Sequence, residues 1–176
     1  HHENPIIVPR SGSHWESWQT FNPAAIFDAG KVHFLYRAIG NDGLSRFGYA
    51  ASGDGYAVNE RSKQPVYEHQ VNGPSEYRLY SFASGGSWGG AEDARIVRVD
   101  AEDRYWMTYT ACDDGLRVAI TSIKRKDFLS KLWNWAKPKL ISAPGQVHKN
   151  WVIFPGKING KYAILHSVSP GSAISY

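Results

Sequence analysis

A three-strand unit recurs along this chain, and the recurrence restricts the fold more than any single residue does. The first copy runs Phe21-Asn22-Pro23-Ala24-Ala25-Ile26-Phe27, turns at Asp28-Ala29-Gly30 and continues in Lys31-Val32-His33-Phe34-Leu35-Tyr36-Arg37. After a turn over residues 40–43 it ends in Arg46-Phe47-Gly48-Tyr49-Ala50-Ala51-Ser52. The second copy has Asp93-Ala94-Arg95-Ile96-Val97-Arg98-Val99, Arg104-Tyr105-Trp106-Met107-Thr108-Tyr109-Thr110 and Leu116-Arg117-Val118-Ala119-Ile120-Thr121-Ser122. The third has Asn150-Trp151-Val152-Ile153-Phe154-Pro155, a turn at Ile158-Asn159-Gly160, Lys161-Tyr162-Ala163-Ile164-Leu165-His166, and the start of a further strand, Ala173-Ile174-Ser175-Tyr176. Segments rich in β-branched and aromatic residues, bounded by Gly, Asn and Asp, read as antiparallel strands. Helical periodicity is confined to residues 127–135. Similar antiparallel units spaced at roughly 40–70 residues are what β-propeller blades with insertions produce. A plain β-sandwich would not explain why the copies resemble one another. The expected fold class is all-β, with propeller blades in antiparallel sheets.

The repeat also sets polar groups at one equivalent point ahead of each first strand: Asn22, Glu92 with Asp93, and Lys149 with Asn150. First strands of blades line the propeller axis, so these groups are expected to converge at one mouth of the channel. The richest stretch is Gly89-Gly90-Ala91-Glu92-Asp93-Ala94-Arg95-Ile96. Its glycines permit close backbone approach. Two carboxylates follow, at what reads as the very start of a buried strand, with Arg95 just beyond. The plain structural alternative is a solvated turn holding a local pair between Asp93 and Arg95. An acid, an amide and cations fit glycosidic cleavage. That reaction needs an acid for the leaving oxygen, and either a second carboxylate to activate water or an external nucleophile. With phosphate as nucleophile, cations replace the second carboxylate; Lys149, His148 and His166 are available. Adjacent like charges raise one pKa of the Glu92–Asp93 pair, and the spacing leaves open which.

Composition narrows the partners. The net charge of +4 is mildly basic. Lys124-Arg125-Lys126 is the only cationic cluster and reads as a solvated face, so no nucleic-acid footprint is expected, whereas a small anion such as phosphate is favoured. Cys112 is the single cysteine, which excludes an intrachain disulfide and a Cys-based metal site. The seven histidines show no metal-ligand spacing. No cofactor is expected beyond inorganic phosphate as a co-substrate. No apolar window of about 18 residues exists to span a membrane. No signal-peptide pattern is seen, so the chain reads as cytoplasmic, with His1-His2 read as a tag remnant and the native start missing. An aromatic content of 14% supplies rings for a core or for sugar platforms in a cleft.

These stretches resemble glycoside hydrolase family 130, the β-mannoside phosphorylases and related β-mannosidases, which form five-bladed β-propellers. The resemblance rests on Phe21-Asn22-Pro23-Ala24, Leu35-Tyr36-Arg37-Ala38, Gly48-Tyr49-Ala50-Ala51-Ser52, Gly90-Ala91-Glu92-Asp93-Ala94-Arg95-Ile96, Tyr109-Thr110-Ala111 and Lys149-Asn150-Trp151-Val152-Ile153-Phe154-Pro155. It implies that Asp93 is the general acid, acting through a sugar hydroxyl. It implies mannose-binding positions at Asn22 and Arg37, with Glu92, Arg95 and Asn150 grouped beside them, and a phosphate side at Lys149 and His166. The implied reaction is phosphorolysis of a β-mannosidic bond to give mannose 1-phosphate. Hydrolysis, or a non-catalytic carbohydrate-binding or assembly module, are the alternatives.

The chain departs from the family pattern in three places. Ala94 stands where a proline is usual, and Gly156 where a glutamate is usual. Arg125 is the last arginine, so the phosphate-binding arginine expected between the second and third copies has no match. Residues 1–176 read as a single partial propeller domain of about two and a half blades. Copies of it are expected to associate through uncovered apolar strand edges, and whether the half-length chain is active is left open.

Overall fold

In the computed structural model, described for residues 2, 4–71, 84–113, 115–168 and 171–176, the strands form successive antiparallel meanders. The first contains β1 (Gln19–Asp28), β2 (Lys31–Ile39) and β3 (Leu44–Ser52), with the short β4 (Glu60–Arg61) on the outer edge. Ala29 and Gly30 both have positive φ, 47° and 76°. Two such residues make the hairpin loop whose twist matches that of the strands it joins. The second meander is β5 (Gly89–Val99), β6 (Arg104–Asp113), β7 (Gly115–Lys124) and β8 (Lys139–Leu140). The third is β9 (Val152–Ile153), β10 (Ile164–Val168) and β11 (Gly171–Ser175), and its turn repeats the first, with Asn159 at φ 53° and Gly160 at φ 77°. The blades expected from the repeat are therefore present.

The first and second blades meet at a corner, where β3 and β5 run parallel for only two residue pairs, Leu44 with Gly89 and Ser45 with Gly90. Gly90 makes that corner possible. Its φ is 100°, and a Cβ there would lie 2.2 Å from the Ser45 carbonyl oxygen. The close backbone approach expected of these glycines is therefore present at Gly90. Gly89 and Gly90 are themselves paired strand residues, however, which corrects one expectation: Glu92 and Asp93 sit inside β5 and not at its start.

Alternation along the strands sorts two cores, as the period of two requires. Leu35, Phe47, Tyr49 and Ala51 join Ala91, Tyr105, Met107 and Tyr109 between the first two blades. Phe34, Tyr36 and Ala50 turn to the opposite face, against Trp15 and the leading segment at Ile6 and Ile7. The helix is shorter than expected: α1 spans Arg125–Leu129 and ends ahead of Lys131, whose φ is 59°. Unwinding lets Trp133 and Trp135, two positions apart, both pack on the first core, as side chains two apart cannot on one helix.

Asp28 fastens the blades. It is buried, accepts the Tyr105 hydroxyl and takes Arg125 at 2.7 and 2.8 Å, with Arg98 at 3.3 Å. Arg125 holds its carboxyl well below the usual carboxylate range. The cationic run was expected to be a solvated face; Arg125 instead closes this interblade ion pair. Among the described residues no helix is long and apolar enough to cross a membrane.

Candidate active site

A left-handed residue recurs in all three copies, and in the first two it sits at a strand bulge. Between Phe21 and Ala24, β1 gains one residue on β2, and between Glu92 and Arg95, β5 gains one on β6. Such bulges re-aim side chains. The residue at the start of each bulge is left-handed: Asn22 at φ 44° and Asp93 at φ 53°, with Asn150 at φ 62° in the third copy. Asn and Asp are the side-chain-bearing residues that tolerate this region best.

The residue just before each left-handed position points to one cluster. Phe21 lies under the Arg37 guanidinium, 4.6 Å from ring centroid to Cζ. Glu92 Oε1 lies 3.3 Å from Arg37 Nη2. Lys149 Nζ lies 3.2 Å from Glu92 Oε2. Three segments distant in sequence are thus brought together by the blade repeat, as expected for Asn22, Glu92, Asp93 and Lys149.

Arg37 is the hub, reaching in from β2. It is 1% exposed, and every nitrogen has a partner. Nε donates to Ser45 Oγ at 2.8 Å, and Nη1 to Asp93 Oδ1 at 3.2 Å. Nη2 donates to the Ser84 carbonyl at 2.6 Å and to Ser87 Oγ at 3.0 Å. Asn22 Nδ2 donates to the same Asp93 oxygen at 3.0 Å. Asp93 therefore has one carboxylate oxygen fixed by two donors from the neighbouring blade. Charge-assisted bonds of this kind are the strong ones.

Glu92 is fully buried. Ser87 Oγ donates to its Oε1 at 2.8 Å. Burial pushes its carboxyl above the ordinary glutamate value, against the pull of Arg37 and Lys149. The dominant cause is desolvation, not the like-charge neighbour on which the sequence argument relied. The same environment pushes the buried Cys112 thiol up to about 12, so this cysteine is held as a thiol.

The local pair between Asp93 and Arg95 does not form. Arg95 turns outward, and its Nη2 donates to Asn150 Oδ1 at 3.1 Å, linking the second bulge to the left-handed residue of the third copy. His166 lies on β10, 4.7 Å from the Trp151 ring, with Nε2 and Ser175 Oγ 2.8 Å apart. His148 meets the same Trp151 ring edge-on at 5.4 Å. The structure brings Asn22, Arg37, Glu92, Asp93 and Lys149 into one connected set, and Arg95 with Asn150 beside it. It joins His166 to Trp151 instead. Ser45, Ser84 and Ser87 escaped the sequence reading, since a lone serine carries no signal until Arg37 is seen to use it. Among the described residues no group of His, Cys, Asp and Glu is arranged to hold a metal ion.

The profile of glycoside hydrolase family 130, described as beta-1,4-mannooligosaccharide phosphorylase, matches residues 5–174. The chain belongs to glycoside hydrolase family 130. Its curated relatives in that family include a 1,2-beta-oligomannan phosphorylase of Thermoanaerobacter sp. (strain X514), 32% identical over 99% of this chain and 54% of the relative. They also include a beta-1,2-mannobiose phosphorylase of the same organism, 30% identical over 94% and 53%. Among solved structures, a glycosyl hydrolase from Bacteroides ovatus superposes with a TM-score of 0.71 at 27% identity, over 98% of this chain and 53% of that one. The family 130 chain described here spans about half the length of the curated relatives it matches.

Proposed function

We propose that this family 130 protein acts on β-mannosides by phosphorolysis, with Asp93 as the general acid. The observation that carries the reading is the commitment of the second carboxylate. Glu92 is held by Arg37, Ser87 and Lys149, which leaves it poorly placed to activate water. Phosphate then supplies the attacking oxygen, and Lys149, one-fifth exposed, is the cation placed to meet it. The bond from the anomeric carbon to the bridging oxygen breaks as one to phosphate oxygen forms. Asp93 gives its proton to the leaving oxygen, directly or through a sugar hydroxyl, and regains one from the attacking hydrogenphosphate. The products are mannose 1-phosphate and the shortened sugar. The curated relatives, a 1,2-beta-oligomannan phosphorylase and a beta-1,2-mannobiose phosphorylase, support this choice.

In this reading Asn22 and Arg37 position Asp93, while Arg95 and Asn150 face the sugar. His166 flanks the phosphate side through Trp151. The likeness to a glycosyl hydrolase supports hydrolysis as a second reading. Incubating the protein with β-mannobiose, with and without phosphate, separates the two. Mannose 1-phosphate formed only with phosphate supports phosphorolysis; free mannose released equally in both conditions supports hydrolysis. The same reading takes residues 1–176 as one partial propeller unit of about two and a half blades. Sedimentation at low micromolar concentration tests the association of copies expected from its strand edges.

A further inference from the structure

A cleft of about 380 Å³ lies at the end of the first blade, lined by Trp18, Asn41, Gly43 and Trp88. Single exposed hydrophobic residues are ordinary, but here two tryptophans, 51% and 44% exposed, border one opening. Both are fixed by backbone bonds to the same region. Trp18 N donates to the Ile39 carbonyl at 3.0 Å, and Trp88 N to the Gly43 carbonyl at 2.9 Å. Ser17 Oγ donates to Asn41 Oδ1 at 2.7 Å, which leaves the exposed Asn41 amide NH2 directed away from that bond. Gly43 matters here because its missing side chain makes room for the Trp88 ring, whose Cδ2 would lie 3.2 Å from a Cβ at that position.

The cleft is lined by near neighbours in sequence of residues that hold the Asp93 cluster. Ser87, next to Trp88, binds both Arg37 and Glu92. Ser45, two residues beyond Gly43, binds Arg37, a separation of roughly 7 Å along a strand. Trp18 and Trp88 precede the left-handed Asn22 and Asp93 by four and five residues. No charged side chain lines the cleft, which suits it to a neutral ligand. Indole faces take the apolar C–H face of a sugar ring while an amide meets its hydroxyls.

We infer that the Trp18–Trp88 cleft is a second carbohydrate site, holding a mannosyl unit of a longer substrate chain away from the bond being cleaved. The inference rests on the proposed mannoside activity and extends it to chain-length selection. The test compares binding of β-mannotetraose and β-mannobiose to the protein by calorimetry, alongside turnover of each. Trp18→Ala, Trp88→Ala and Asn41→Ala are expected to lower the preference for tetraose over mannobiose, by about tenfold for each tryptophan. Trp88→Phe, which keeps a ring against Gly43, retains most of it, and thermal melting checks that each variant is folded. An unchanged preference in folded variants overturns the cleft assignment while leaving the activity standing. Tetraose binding that depends on the tryptophans, in a parent protein that turns over neither sugar, supports the cleft and overturns the activity. Absence of both binding and turnover in the parent overturns both.

Discussion

Asn22 and Asp93 occupy the same left-handed position in successive blades, and Asn22 Nδ2 donates to Asp93 Oδ1 at 3.0 Å. The bulge that gives each residue its backbone conformation also turns their side chains toward each other across the blade joint. Backbone geometry and acid placement are therefore one feature.

Separating the two effects of Asn22 needs two substitutions. Asn22→Ala adds the left-handed penalty of about 1–2 kcal/mol to the lost hydrogen bond, whereas Asn22→Gly loses the bond alone. Urea unfolding should place the glycine variant about 1 kcal/mol above the alanine variant. Both should lose turnover to a similar extent, because both release Asp93. Parental activity in Asn22→Gly would show that the amide does not position the acid.

Glu92 makes a prediction about pH. Its folded-state value is raised by burial, so the folded chain binds the proton more tightly than the unfolded one. Its contribution is most favourable below the ordinary glutamate value of about 4.3 and declines as pH rises through the raised folded value. Glu92→Gln should flatten the dependence of the urea midpoint on pH across that interval, relative to the parent. It should also raise the KM for phosphate more than it lowers kcat, because Lys149 loses its partner at 3.2 Å.

Asp28 acts with the opposite sign. Its pKa is held down chiefly by Arg125, so its stabilising effect is complete above the ordinary aspartate value of about 3.9 and is lost as pH falls below it. Asp28→Asn should therefore cost more stability at pH 7 than at pH 2.5. An equal cost at both would mean that the blades are not joined through this ion pair.

The strands were legible because each carries β-branched and aromatic residues between turn formers, and the turn at Asn159-Gly160 has the conformation its residues favour. The convergence of Asn22, Glu92, Asp93 and Lys149 followed from their equivalent places in the repeat. The close approach expected of Gly89 and Gly90 is met by the Ser45 backbone at Gly90. The start of the strand was set too late, since glycine freedom does not show that β5 already begins at Gly89. The left-handed positions had a faint signal, an Asn or Asp at one point of every copy, but pairing register decides whether such a residue turns or bulges. Arg37 was assigned through family resemblance alone. Its partners Ser45, Ser84 and Ser87 come from other segments, and side-chain reach across a blade joint is not written in spacing. Asp28 read as a turn residue because its partner Arg125 lies 97 positions away.

Formation of mannose 1-phosphate from β-mannobiose and inorganic phosphate, compared between the parent and Asp93→Asn, tests the central claim most directly. The account predicts product in the parent and a loss on the order of a hundredfold or more in the variant, with its fold retained by thermal melting. Equal rates of product formation in the two proteins would contradict it.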